Sequence, residues 1–139
     1  MRIETEDRGA VTIIRPEDRL DILGYLELEE RLAALLAAGR SRLVLDLQEA
    51  TFINSATLGV MSRFWADCAK AGGILVIARP SREARNFLRL GDVDELIDVF
   101  PSVGEAVAAA EQARPAAPKA RSGAAKSGGA GEPRGPRGA

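Results

Sequence analysis

The chain has 139 residues, of which 46% are hydrophobic, with no histidine and a single cysteine, Cys68. This length and composition suit one soluble globular domain. The lack of histidine excludes Ser-His-Asp and Cys-His catalysis and histidine metal sites. One cysteine excludes an intramolecular disulfide and a cysteine metal cluster. Neither common phosphate-binding glycine loop is present, so we expect no enzyme, no cofactor and no metal.

Charge is distributed unevenly along the chain. Up to Ala113 there are 13 basic and 19 acidic residues, a net charge of −6, whereas six basic residues and Glu132 follow. Residues 114–139 are rich in Pro, Gly and Ala and lack large apolar side chains, so we expect a disordered basic tail after a domain at 1–113. Scattered basic residues without stacking aromatics favour a solubilising or tethering tail over a nucleic-acid-binding one.

The sequence predicts neither a membrane-spanning helix nor a signal peptide. No run approaches the ~18–20 apolar residues that a spanning helix needs. The start of the chain, residues 1–7, is too acidic for a signal peptide. We therefore expect a cytoplasmic protein without membrane insertion.

The first part of the chain predicts two strands and one helix. Residues 2–7 and 11–15 have strand character, with Gly9 suited to a turn between them. An amphipathic helix is predicted from about residue 22 to 38, ended by Gly39. Its apolar positions recur at three- and four-residue spacing: Leu28, Leu32, Leu35 and Leu36.

The remaining chain alternates strands with helices. Residues 42–47 predict a strand covered on both faces, followed by a loop that ends in Phe52-Ile53. Further strands are predicted at 74–78 and 97–100, and further helices at 55–71, 81–90 and 103–113. Residues expected to face the core on the middle two helices are Leu58, Val60, Met61, Phe64, Trp65, Cys68, Ala84, Phe87, Leu88 and Leu90. The alternation predicts an α/β fold with a mainly parallel sheet.

The most informative stretch is the start of the helix predicted from residue 55. Asn54 and Ser55 are both residue types that cap helices by accepting a hydrogen bond from a free backbone N–H. Unpaired N–H groups and the helix dipole favour negative charge at the same place. Asp46, at the end of the preceding strand, could suggest a catalytic carboxylate, but a structural role bonding loop N–H groups is favoured.

The sequence Asn54-Ser55-Ala56-Thr57-Leu58-Gly59, after a strand ending in Asp46-Leu47, resembles the signature of the STAS family of anti-sigma factor antagonists. In that family a strand ends in Asp-Leu and a loop leads to Asp-Ser-Ser-Gly-Leu-Gly. The stretches 78–81, 87–91 and 97–106 are also similar to the family, so the resemblance covers about residues 2–113. It implies a single STAS-like domain with a mixed, mostly parallel sheet, about four packed helices and a short extra strand near residues 18–21.

The resemblance also implies a function. STAS proteins of this type are bacterial regulators of transcription that bind an anti-sigma factor, a serine kinase of the histidine-kinase-like ATPase type, and so free the sigma factor. Phosphorylation of the second serine of the signature ends that binding, because it adds charge and bulk. The alternative is a STAS scaffold subunit of a larger signalling or transport complex.

The hydroxyl-rich turn at the end of a buried strand predicts a partner-binding surface centred on the helix start and its flanking loops, with the residues Asn54, Ser55, Ala56, Thr57 and Leu58. The position of the family's phosphoacceptor is Ala56, which has no hydroxyl. Ser55 and Thr57 remain as acceptor candidates, although a shift of one position turns a helical side chain by about 100°. For Ser55 the cap role is favoured, and we expect a protein without the usual serine switch.

Overall fold

Residues 2–113, the part of the chain that the computed structural model describes, form seven strands and five helices. The predicted tail, residues 114–139, lies outside the described residues. The strands are β1 Ile3–Arg8, β2 Val11–Pro16, β3 Asp18–Leu20, β4 Arg42–Asp46, β5 Ala50–Ile53, β6 Ile74–Ala78 and β7 Val99–Phe100. The helices are α1 Ile22–Ala37, α2 Ser55–Lys70, α3 Arg82–Leu90, α4 Val93–Leu96 and α5 Val103–Gln112.

Five of these strands form the main sheet in the order β1-β2-β4-β6-β7. The hairpin of β1 and β2 is antiparallel and every other pair is parallel. The remaining strands, β3 and β5, form a separate parallel pair. The α/β class, the mostly parallel sheet and the extra strand before α1 are therefore confirmed.

Both faces of the sheet are covered. Leu43 and Leu45 of β4 belong to a core with residues of α1, α2 and α3, whereas Val44 packs on the opposite face with residues of α5. All three are fully buried. This explains why β4 is apolar without alternation.

Cys68 belongs to α2 and is buried in the core, as the sequence predicts. Burial raises the pKa of its thiol to about 12. The thiol is therefore protonated at neutral pH and acts as a small apolar side chain.

Two expectations were wrong in detail. The loop predicted before residue 55 contains β5. The single-turn helix α4 adds a fifth helix to the four that the sequence pattern predicts. Leu90 does not face the core, because 81% of it is exposed at the end of α3.

Within the described residues, no helix has the length and apolar character needed to cross a membrane.

Candidate functional site

The start of α2 is capped by Asn54. Its side-chain oxygen accepts a hydrogen bond of 2.8 Å from the backbone N–H of Thr57, and its own backbone is extended. Ser55 is the first residue inside the helix, so its hydroxyl does not serve as the cap. The asparagine therefore performs the capping that a Ser55 hydroxyl would otherwise provide, without adding a negative charge at the positive end of the helix.

The five predicted partner-binding residues have unequal access to solvent. Ser55 and Ala56 are exposed, and Asn54 and Leu58 are half-buried. Thr57 is completely buried, and its hydroxyl lies 3.1 Å from the carbonyl oxygen of Leu20 and 2.7 Å from the side-chain oxygen of Asn54. The accessible part of this turn is therefore formed by Ser55 and Ala56, the first two residues of α2.

Strand β3 holds the starts of α1 and α2 together. The carbonyl oxygen of Leu20 accepts hydrogen bonds from the Thr57 hydroxyl and, at 3.4 Å, from the Asn54 N–H. The next residue, Asp21, caps α1 by accepting a hydrogen bond of 3.2 Å from the Gly24 N–H. Both helices thus begin at the same end of the β3-β5 pair.

Aromatic contacts support the other side of the turn. Phe52 of β5 and Phe87 of α3 meet edge to face, with ring centroids 5.3 Å apart. The guanidinium of Arg19 lies over the Phe52 ring, 4.5 Å from its centroid, an arrangement in which the cation is attracted to the ring face. Leu58 packs closely against Gly91. A Cβ added to Gly91 would lie only 2.6 Å from Cδ1 of Leu58.

Asp46 forms a second polar centre at the end of β4. Its fully buried carboxylate accepts hydrogen bonds from Arg15, at 2.7 Å, and from Arg79, at 2.9 and 3.0 Å. It also accepts a hydrogen bond of 3.2 Å from the Gln48 N–H. The predicted bond to a loop N–H is therefore present, and the two arginines explain how the buried charge is tolerated.

Neither arginine was predicted from the sequence, although the order of the strands places both beside Asp46. Arg15 lies near the end of β2 and Arg79 directly follows β6, the two neighbours of β4. Because the ends of parallel strands meet at one edge of the sheet, a single carboxylate can reach both. Within the described residues, no group of three or more potential ligands is placed to hold a metal ion.

The Asp46 contacts predict a pH dependence of stability. Burial raises the pKa of this carboxyl, but the hydrogen bonds from Arg79, Arg15 and Gln48 outweigh it and hold the pKa below its ordinary value. Because the pKa of this carboxyl is lower in the folded state than in the unfolded state, its ionised form stabilises the folded protein. This stabilisation is fully present above the pKa of the unfolded state, and it is lost as the pH falls through the pKa of the folded state. The advantage of the wild type over Asp46→Asn should therefore be largest near neutrality and shrink below about pH 4.

Thermal melts of both proteins across this pH range measure the effect. Glu49→Gln, a substitution at an exposed carboxylate in the following loop, is the matched control and should track the wild type. A stability difference between wild type and Asp46→Asn that does not change with pH would contradict the prediction.

Residues 2–106 match the family model described as the STAS domain. This chain therefore belongs to the STAS-domain family. Among curated protein sequences, none gives a significant match.

Solved structures share the same fold. An anti-sigma factor antagonist from Mycobacterium paratuberculosis is 21% identical, with a TM-score of 0.73, covering 80% of this chain and 94% of its own. The phosphorylated form of SpoIIAA, a Bacillus cell fate determinant, is 14% identical, with a TM-score of 0.62 and coverages of 77% and 97%. The murine anion transporter Slc26a9 is 17% identical, with a TM-score of 0.59, covering 78% of this chain and 19% of the transporter. At these identities the likeness concerns the fold.

Proposed function

We propose that this domain is a cytoplasmic, non-enzymatic regulator of transcription that binds and sequesters an ATPase-type anti-sigma factor through the start of α2. The observation that carries the proposal is the exposed Ser55-Ala56 turn, at the start of a helix that Asn54 caps, on a STAS fold. Structural neighbours include proteins described as anti-sigma factor antagonists. Such a turn offers a partner backbone and small side chains without a large rearrangement.

We further propose that this protein is not regulated by phosphorylation of a serine at position 56, the usual switch of the family. Ala56 has no hydroxyl, and the Thr57 hydroxyl is buried against Leu20, out of reach of a kinase. Ser55 carries the accessible hydroxyl of this turn but is turned by about 100° from position 56. A kinase shaped for a serine at position 56 therefore meets no acceptor, and the domain binds its partner constitutively.

A second candidate function is a STAS scaffold subunit in a larger signalling or transport complex. The alanine at position 56 favours it, because a scaffold needs no phosphoacceptor. The fold likeness to one segment of an anion transporter is also compatible with it. Isolation of the intact protein with its partners separates the two functions: a small ATPase-type kinase supports the first, and a large multiprotein assembly supports the second.

Charge added to the turn should weaken partner binding. We expect Ser55→Asp and Ala56→Asp each to reduce the affinity for the purified ATPase-type anti-sigma factor at least about tenfold, or ~1.4 kcal/mol. The reason is that each places a carboxylate inside the proposed contact. Titration calorimetry measures the change.

Ala108→Asp is the matched control for this titration. It makes the same substitution at an exposed position of α5, the helix that covers the opposite face of the sheet. Its affinity should equal that of the wild type. Unchanged affinity of both turn variants would place the interface elsewhere.

A further inference from the structure

The first turns of α1 expose large apolar side chains to solvent. Ile22 is 68% exposed, Leu23 74% and Leu26 43%. At about 100° per residue they lie on one side of the helix, turned away from Leu28 and Leu32, which are fully buried in the core. We call Ile22, Leu23 and Leu26 the α1 corner.

The fold of residues 2–113 leaves the α1 corner largely exposed. Among residues 2–113, its three members and Leu90 are the large hydrophobic residues classed as exposed. Single exposed apolar residues are ordinary, but a contiguous group marks an interaction surface. Packing among residues 2–113 leaves this group uncovered, which makes it a candidate docking surface.

The corner is continuous with the start of α2. The carbonyl oxygen of Leu20 is bonded to the N–H of Asn54 and the hydroxyl of Thr57. Ile22 follows Leu20 by two residues, which places their Cα atoms at most about 7 Å apart. Helices α1 and α2 also pack on each other. One partner can therefore cover the α1 corner and the Ser55-Ala56 turn together.

The charges around the corner select the kind of partner. Asp18, Asp21 and Glu30 are exposed on either side of it in the sequence, and Glu30 lies one helical turn beyond Leu26. Within residues 18–30 the basic residue is Arg19, whose Nε lies 4.0 Å from Oδ2 of Asp21. Two copies meeting symmetrically through this corner would bring like charges together, and anionic lipid would be repelled. The acidic rim instead fits a partner surface with basic residues.

The size of the corner limits what it can do alone. A stable, specific interface buries about 800 Å² on each partner, contributed by some 20–30 residues. Three side chains fall far short of that. The corner therefore needs the adjoining α2 start to form a complete contact.

We infer that the α1 corner is the apolar part of the surface that docks the anti-sigma factor, and that the partner presents an apolar patch bordered by Lys or Arg. The inference rests on the proposed function. It divides the surface into the α2 turn, where an added charge blocks binding, and the corner, which supplies apolar contact.

The test uses the double substitution Leu23→Ser with Leu26→Ser in the full chain. The probes are the purified ATPase-type anti-sigma factors of the same organism, titrated one by one by calorimetry. We expect the double variant to bind at least about tenfold more weakly than the wild type. Leu90→Ser, which removes an equally large exposed side chain from α3, should bind as the wild type does. Glu30→Lys should slow association and reduce its salt dependence.

The outcomes separate the inference from the proposed function. Binding that Ala56→Asp weakens but the corner variant leaves unchanged would overturn the inference and leave the function standing. Failure of every anti-sigma factor to bind the wild type would overturn both. Because the corner residues are exposed, the double variant should melt at the wild-type temperature; if it does not, Leu23→Ala takes its place under the same criterion.

Discussion

Replacing Gly73 by alanine should destabilise the domain by about 3 kcal/mol or more. A Cβ at this position would lie 2.0 Å from the carbonyl oxygen of Ser41. That oxygen also accepts the hydrogen bond of 2.9 Å from the Ile74 N–H, where β6 begins beside β4. The added methyl group would therefore separate the two central strands, and no side-chain movement can relieve a clash with backbone.

Urea unfolding of the variant measures this loss. Gly104→Ala in α5 is the matched control, since nothing lies within 4 Å of the added Cβ. It should be neutral or stabilising by up to about 1 kcal/mol, because alanine is the better helix former. A Gly73→Ala protein as stable as the wild type would contradict the close approach of Ser41 and Gly73.

Ala56→Ser should create a phosphoacceptor where the wild type has none. Position 56 is exposed in the first turn of α2, where the helix dipole and free N–H groups accommodate a phosphate. With the bound kinase and ATP, we expect the variant to be modified and then to lose affinity at least about tenfold. The physical cause is the added charge of about −1.5 to −2 inside the contact.

The acceptor is assigned by adding Ser55→Ala to the same variant, which should leave the modification intact. Thr57 is kept in both proteins. A glycine there would remove the buried hydroxyl bonded to Leu20 and cost stability for an unrelated reason. An unmodified Ala56→Ser protein, tested with a kinase that is active on another substrate, would contradict the prediction.

The sequence predicted most of the architecture because its local signals agree with the tertiary structure. The apolar run of β4 and the spacing of Leu28 and Leu32 in α1 both reflect burial that the structure confirms. Gly39 and Gly72, which follow α1 and α2, adopt positive φ angles of 83° and 86°, a conformation that glycine reaches without strain.

What the sequence could not predict depends on contacts between distant segments. The strand β5 is formed through its pairing with β3, and its four residues carry too weak a local pattern to be recognised. Thr57 of α2 is buried where Leu20 of strand β3 approaches it. The spacing of apolar residues along a helix also did not predict that Leu23 and Leu90 are exposed, because spacing does not show which apolar positions have a neighbour in the fold.

The most direct test of the proposed function uses the wild-type protein. It is incubated with the ATPase-type anti-sigma factor that binds it and with ATP, and binding is followed alongside phosphosite mapping by mass spectrometry. The proposal predicts that the complex persists and that Ser55 and Thr57 carry no phosphate. Phosphate on Ser55 or Thr57, together with dissociation of the complex, would contradict it and establish ordinary phospho-control with a displaced acceptor.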